Sequence, residues 1–182
     1  MKPDRRKLLR FSVQFLPLFT LLLWLYWLVL PQYEPAVLRV ANLVGGLLSP
    51  ATRVEAVAGD EWNCIVAEPD GGERVLKRWY GFLRHLLFLD LALVPALLLP
   101  TPAPLRVRLR ITGLGIVLVF VGHVAAVLGL MRGMWCLVES PNSFVCNWIL
   151  RIAYTSGQLF GAVIWGLLAW RHWFPADLRR TG

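Results

Sequence analysis

The sequence predicts an all-α membrane protein with four transmembrane helices, both termini in the cytoplasm, a small outer-face β hairpin or flap, and an interfacial helix. Of its 182 residues 57% are hydrophobic, and the mean hydropathy of +0.58 is too high for a soluble domain of this size. Apolar stretches long enough to cross a bilayer occur four times. Basic residues are concentrated on one side of these stretches, which predicts an orientation.

The four apolar stretches cover most of the chain, so we expect one membrane domain over residues 1–182. A helix needs about 20 predominantly apolar residues to cross a hydrocarbon core roughly 30 Å thick. The predicted spans are residues 11–30, 82–99, 111–130 and 148–170, and residues 31–81 form an outer-face segment. The first span is long and ends in Trp24, Tyr26 and Trp27, which favours a retained anchor over a cleavable signal peptide.

The charges predict which side of the membrane each segment faces. Eleven lysines and arginines and two aspartates lie before the first span, between the second and third, and after the fourth. The remaining segments hold eight basic and eight acidic residues, and Asp90 inside the second span completes the net charge of +8. The positive-inside rule therefore places both termini in the cytoplasm. Because the basic residues sort by membrane side and form no single patch, we expect no nucleic-acid partner.

The outer-face segment divides into a helical part and a β part. Residues 35–48 are apolar around most of the helix circumference but too few to cross the bilayer, which favours an interfacial helix. Three β-like runs follow, TRVEAV, WNCIVAE and ERVLKRWY, and a Pro-Asp-Gly-Gly turn separates the last two. They predict a hairpin or a three-stranded flap. So small a sheet is marginal alone, so it should lie on the membrane surface or on a partner.

Two of the three cysteines lie in one predicted outer loop. Cys136 and Cys146 are ten positions apart, and an oxidising exterior favours a disulfide between them. The alternative is a thiol nucleophile, in which His123 activates Cys136 or Cys146 and Arg151 assists. If Cys136 and Cys146 form the disulfide, Cys64 in the flap has no cysteine partner within the chain. Three cysteines and three scattered histidines show no zinc spacing, so we expect no metal site and no cofactor.

Polar residues recur at one depth of the predicted bundle. At a rise of 1.5 Å per residue, Asp90 and His123 each lie about 12 Å below the outer surface, so their side chains can meet. The fourth span carries one polar stripe at spacings of four, three and four, formed by Asn147, Arg151, Tyr154 and Gln158. Arg151 lies slightly closer to the outer boundary, within reach of a deeper carboxylate.

Two interpretations of these residues stay open. In the first, Asp90, His123 and Arg151 satisfy one another and form a buried clamp that determines helix order. In the second, they line a polar pocket in the outer half of the bundle, with His123 as acid or base and Arg151 as an anion-binding group. Tyr154 and Gln158 belong to the same cluster in either case.

Two small-residue patterns indicate close helix contacts. Gly129 and Gly133 are four residues apart in the third span, and Gly157 and Gly161 have the same spacing in the fourth. Small residues at this spacing allow the backbones of membrane helices to approach each other.

Three segments have a recognisable order and amino-acid sequence. They are the first span FLPLFTLLLWLYWLVLP, the end of the second span LVPALLLPTPAPLRVRLR, and the last span WILRIAYTSGQLFGAVIWGLLAWRHWF. Together with the basic start and the outer amphipathic and β segment, they resemble small exosortase-associated membrane proteins over nearly the whole chain. The resemblance implies a multi-pass accessory protein of the bacterial cytoplasmic (inner) membrane. Its expected partners are the lipid bilayer and an exosortase, the transpeptidase that processes proteins with a C-terminal sorting signal.

Exosortases are themselves similar in using a cysteine, an arginine and a histidine near the outer face of a multispan bundle. Here Cys136 occurs in MWCLVES, without the small residues expected after such a nucleophile, and four spans are fewer than that family has. Both departures favour a nonenzymatic accessory role. The alternative is a minimal thiol hydrolase or transpeptidase that uses Cys136 or Cys146 with His123 and Arg151. A small transporter using Asp90 and His123 is a third possibility, although only one carboxylate lies at depth.

Overall fold

The computed structural model of the chain describes residues 5–48, 52–57, 61–67, 72–79, 87–140 and 143–173. Its elements follow in the order α1 (Arg5–Leu48), β1 (Thr52–Val57), β2 (Glu61–Ala67), β3 (Glu73–Trp79), α2 (Asp90–Leu98), α3 (Leu105–Glu139) and α4 (Phe144–Trp173). The start of the predicted second span, residues 82–86, lies outside the described residues, as do residues 69–71 of the predicted turn.

Helix α1 runs without interruption through the predicted end of the first span. The sequence predicts two separate elements here, a span over residues 11–30 and an interfacial helix over residues 35–48. The structure instead has one helix of 44 residues, so helical structure over residues 35–48 is confirmed but the predicted break is wrong. Pro31 and Pro35 are four residues apart and share one helical face, so the lost hydrogen bonds fall on one side, which a long helix tolerates by bending.

The β part is a three-stranded antiparallel sheet in the order β1-β2-β3, which confirms the three-stranded form of the predicted flap. Thr52 in β1 lies opposite Val66 in β2, and the pairing continues without a break along β1. Between Cys64 and Ile65 the register of β2 against β3 shifts. This bulge adds one residue to β3, and bulges of this kind bend the strand that carries them.

A proline-rich turn follows α2, and an arginine from α3 holds it. Residues 100–104 contain three prolines, which cannot continue a helix, as the sequence predicts. Arg108 donates from Nε to the carbonyl of Ala103 at 2.7 Å and from Nη1 to the carbonyl of Leu99 at 3.2 Å. The Leu99 carbonyl follows the last turn of α2, where helical donors are missing, so the guanidinium satisfies it.

Helices α3 and α4 form a hairpin that a disulfide closes. Cys136, near the end of α3, is bonded to Cys146, near the start of α4, and their Cα atoms are 5.4 Å apart. The predicted disulfide is therefore confirmed. Farther from the loop, a Cβ added at Gly129 would lie 2.8 Å from the Cβ of Ala153. The pattern Gly129–Gly133 thus permits close helix contact within this hairpin, as expected.

The chain divides into two compact units. Unit one consists of Met1–Val29, Leu89–Phe120 and Leu159–Gly182, and unit two of Leu30–Phe88 and Val121–Gln158. The core of unit one is a cluster of buried residues from α2, α3 and α4: Val94, Leu98, Val119, Ile164 and Ala169. In unit two, the sheet packs with the second part of α1 through contacts described below.

Two helical stretches within the described residues are long and apolar enough to cross a membrane: Leu9–Leu47, of 39 residues, and Leu105–Leu137, of 33 residues. A third candidate is the bent pair Phe144–Thr155 and Leu159–Trp170 in α4, if both segments belong to one span. The described part of the predicted second span is the nine-residue helix α2. The chain therefore carries the long apolar helices of a membrane protein, as predicted.

Candidate functional site

The aspartate of the predicted second span lies buried in unit one. Asp90 is the first residue of α2, and it is 3% exposed. Its Oδ2 accepts a hydrogen bond of 2.9 Å from the backbone amide of Gly161. This hydrogen bond joins the start of α2 to α4 within unit one.

Glycine at position 161 allows this close approach. A Cβ added at Gly161 would collide with the carboxylate of Asp90 and would lie 3.2 Å from Cγ2 of Val94. A larger residue at this position would therefore displace α2 or break the hydrogen bond. One member of the predicted pattern Gly157–Gly161 thus contacts a neighbouring helix within unit one.

Unit two contains a group of side chains, all buried except the half-buried Tyr33, that we call the aromatic–polar cluster: Tyr33, Glu34, Trp62, Phe88 and His123. His123 is completely buried, and its Nδ1 shares a hydrogen bond of 2.8 Å with the hydroxyl of Tyr33. The ring of Phe88 packs edge-on against His123, with ring centroids 4.9 Å apart, and the ring of Trp62 packs against Phe88 at 5.6 Å. The imidazole is therefore enclosed by aromatic rings and held by a hydroxyl group.

Two polar contacts attach the sheet to α1. The carboxylate of Glu34, which is buried, accepts a hydrogen bond of 2.6 Å from the indole Nε1 of Trp62. The amide side chain of Asn42 donates to the carbonyl of Val54 at 2.8 Å and accepts from the amide of Val54 at 2.9 Å. Asn42 thereby satisfies two backbone groups on the edge of β1 that faces away from β2. These contacts supply the packing partner that a three-stranded sheet requires.

The residues of the predicted polar cluster belong to both units. Asp90 is in unit one, whereas His123, Arg151, Tyr154 and Gln158 are in unit two. Arg151 is exposed and Tyr154 is half-buried, and the side chain of Gln158 lies outside the described part of the chain. Asp90 and His123 each have a hydrogen-bond partner within their own unit. A direct contact of Asp90 with His123 or Arg151 stays a prediction.

The three cysteines have two different environments. Cys136 and Cys146 are bonded to each other. A cysteine nucleophile must be a thiolate, so neither residue can act as one while the disulfide is intact. Cys64 is a free thiol that is completely buried in the sheet, and burial raises the pKa of this thiol from its usual 9.0 to about 11. Among the described residues, no group of three or more acidic, histidine or cysteine side chains is arranged to hold a metal ion.

We expect Cys64 in the folded protein to react slowly with iodoacetamide at about pH 8. A pKa of about 11 in place of 9.0 lowers the thiolate fraction roughly a hundredfold, and burial also hinders the reagent. The labelling rate should keep rising with pH until the thiol ionises near pH 11. Mass spectrometry measures the labelling rate of the chain in mild detergent. The control is the same chain unfolded in a denaturing detergent. Equal rates for the folded and unfolded chains would contradict this environment.

The sequence reasoning missed three groups: the side chains of Tyr33 and Glu34 and the backbone amide of Gly161. Tyr33 and Glu34 lie in the second part of α1, and the sequence contained a signal for one of them. Glu34 is the only acidic residue between Leu9 and Leu47, and an acid in an apolar helix requires a partner. The amide of Gly161 has no such signal, because backbone amides are alike in sequence.

Comparisons of the chain with protein-family models, with curated proteins and with solved structures return no match.

Proposed function

We propose that the chain is a nonenzymatic accessory protein that binds a membrane-embedded processing enzyme of the exosortase type. In this proposal it is a multi-pass protein of the bacterial cytoplasmic membrane, with four spans and both termini in the cytoplasm. Residues 82–99 form the second of these spans. The distribution of basic residues supports the orientation, and the resemblance of the three apolar segments supports the kind of partner.

The observation that carries the proposal is the open apolar surface of α1. Only 11% of its most apolar stretch is buried, compared with 44% for α3. Leu21, Trp24 and Leu28 are exposed, and their spacings of three and four put them on one side of the helix, which we call the α1 face. A membrane-crossing helix with few contacts to the other described residues of its chain has surface for a helix of another protein, because such helices associate by side-chain packing.

The environments of the candidate catalytic residues support a nonenzymatic role. Thiol catalysis requires a thiolate within reach of both a base and the substrate. Cys136 and Cys146 are bonded to each other, and His123 is buried among aromatic rings. The alternative, a minimal thiol hydrolase or transpeptidase that uses these residues with Arg151, would require reduction of the disulfide before each reaction could begin.

The proposal predicts that an exosortase-type enzyme co-purifies with the tagged full-length chain from membranes of its native host. Alanine at all three residues of the α1 face should remove most of the recovered enzyme, because truncation removes the packing surface. A matched control places alanine at three exposed residues of α3 with the same spacing: Leu114, Val117 and Val121. The control should recover as much enzyme as the unmodified chain. Quantitative mass spectrometry of the purified material measures the ratio.

Three outcomes would contradict the proposal. Equal loss of enzyme from both triple variants would indicate a general disturbance of the helices and would remove the role of the α1 face. Failure to recover the enzyme, together with unchanged processing of sorting-signal proteins after deletion of the gene, would refute the accessory role. Processing by the purified chain alone that stops with Cys136→Ala would establish the thiol-enzyme alternative.

A further inference from the structure

Three arginines, Arg106, Arg108 and Arg110, occupy every second position in the first turns of α3, and their contacts differ. Arg108 points back to the proline-rich turn, where it donates to the carbonyls of Ala103 and Leu99. Its guanidinium therefore has a structural role within unit one. Arg106 and Arg110 lie on either side of it in sequence, and both are exposed.

Arg106 and Arg110 are positively charged groups without a neutralising partner in the described part of the chain. Neither takes part in a hydrogen bond or an ion pair there. No acidic residue occurs in the first turn of α3. Since the two residues are four positions apart, their side chains lie one above the other on the same face of the helix. Two positive charges are thus presented together.

Exposed leucines accompany the two arginines. Leu105 is 64% exposed and Leu109 is 56% exposed, and each directly precedes an arginine in the sequence. One turn farther along, a Cβ added at Gly113 would meet nothing within 4 Å, so this side of the helix is open. We call Leu105, Arg106, Leu109 and Arg110 the basic surface. It lies at the start of a helical stretch that is long and apolar enough to cross a membrane.

We propose that the basic surface binds the headgroups of anionic phospholipids. Arginine is suited to phosphate because its planar guanidinium donates two parallel hydrogen bonds. The leucines favour lipid over nucleic acid, since the boundary of a leaflet accepts apolar side chains beside the phosphates, whereas a nucleic-acid backbone leaves them in water. This inference concerns unit one alone and does not depend on the proposed processing enzyme.

The test measures the lipid selectivity of the full-length chain. The chain, purified in detergent, is incubated with equal amounts of phosphatidylglycerol and zwitterionic phosphatidylethanolamine, and native mass spectrometry counts the retained lipids. Arginine near an anionic surface contributes roughly a fivefold gain in association, so Arg106→Gln with Arg110→Gln should lower the preference for phosphatidylglycerol about 25-fold. The control removes the same charge from two exposed arginines of unit two, Arg132→Gln with Arg151→Gln, and should retain the preference.

Several results would overturn this assignment. Equal loss of selectivity in both double variants would show that net charge alone attracts the lipid. An unchanged preference after loss of Arg106 and Arg110 would place lipid binding elsewhere. Displacement of phosphatidylglycerol by inorganic phosphate at the same concentration would show that the surface binds free anions in preference to a membrane. Thermal unfolding of each double variant and of the single variants Arg106→Gln and Arg110→Gln separates a binding defect from a folding defect. A variant that binds less lipid at an unchanged unfolding temperature has a binding defect.

Discussion

Replacing both Cys136 and Cys146 with serine should lower the free energy of unfolding by about 3 kcal/mol. The disulfide closes a loop of ten sequence positions, and in the chain-entropy account such a loop restricts the unfolded ensemble by about this amount. The bond also holds the end of α3 against the start of α4, about two helical turns from the close contact of Gly129 with Ala153. Denaturant unfolding in mild detergent, followed by tryptophan fluorescence, measures the difference.

Reduction of the unmodified chain is the matched control for this prediction. A reducing agent should lower the stability of the unmodified chain to that of the double serine variant and should leave the variant unchanged. Cys64→Ser is a second control, because it leaves the disulfide intact: a reducing agent should lower the stability of this variant by as much as it lowers that of the unmodified chain. A membrane-impermeant thiol reagent that labels Cys136 or Cys146 in the native chain without reductant would contradict the disulfide.

Replacing Asp90 with leucine should lower the free energy of unfolding by about 2 kcal/mol. The substitution removes the buried hydrogen bond from the amide of Gly161 to the carboxylate, and losing a buried polar contact of this kind costs about 1–3 kcal/mol. Asp90→Asn retains a carbonyl oxygen at a similar place, so it should cost less than half as much. Denaturant unfolding of both variants measures the difference. Equal losses for leucine and asparagine would show that the hydrogen bond contributes little.

A double-mutant cycle tests the same contact more directly. Gly161→Ala should also destabilise the chain, because its Cβ would collide with the Asp90 carboxylate. In the background of Asp90→Ala this collision is relieved, so the second substitution should cost less than it does alone. Contacting residues show coupling of this kind, whereas independent sites add. Strict additivity of the two losses would mean that Asp90 and Gly161 do not touch.

The hairpin of α3 and α4 shows how far sequence reasoning reaches. Cys136 and Cys146 are close in sequence and follow a predicted span, so loop length and an oxidising exterior were sufficient to predict their bond. The glycine spacing at positions 129 and 133 likewise indicated a close helix contact. Both features depend on residues that the chain brings together through one short connection.

Helix α1 shows where the same reasoning fails. The sequence predicts a first span that ends at residue 30 and a separate interfacial helix over residues 35–48, with Pro31 and Pro35 at the junction. The helix nevertheless continues through both residues. Its second part packs with the sheet through Glu34 and Asn42, and these contacts stabilise a helical backbone that local rules alone would interrupt.

The sequence by itself determined the membrane character of this protein, its mostly helical structure, its flap and its disulfide. These properties follow from hydrophobicity, charge and cysteine spacing, which are set by residues near one another along the chain. Only the tertiary structure decided the partners of the buried polar groups, Gly161 for Asp90 and Tyr33 for His123. A depth estimate locates a side chain along the helix axis but not around it, and one of these partners is a backbone amide that no residue type reveals.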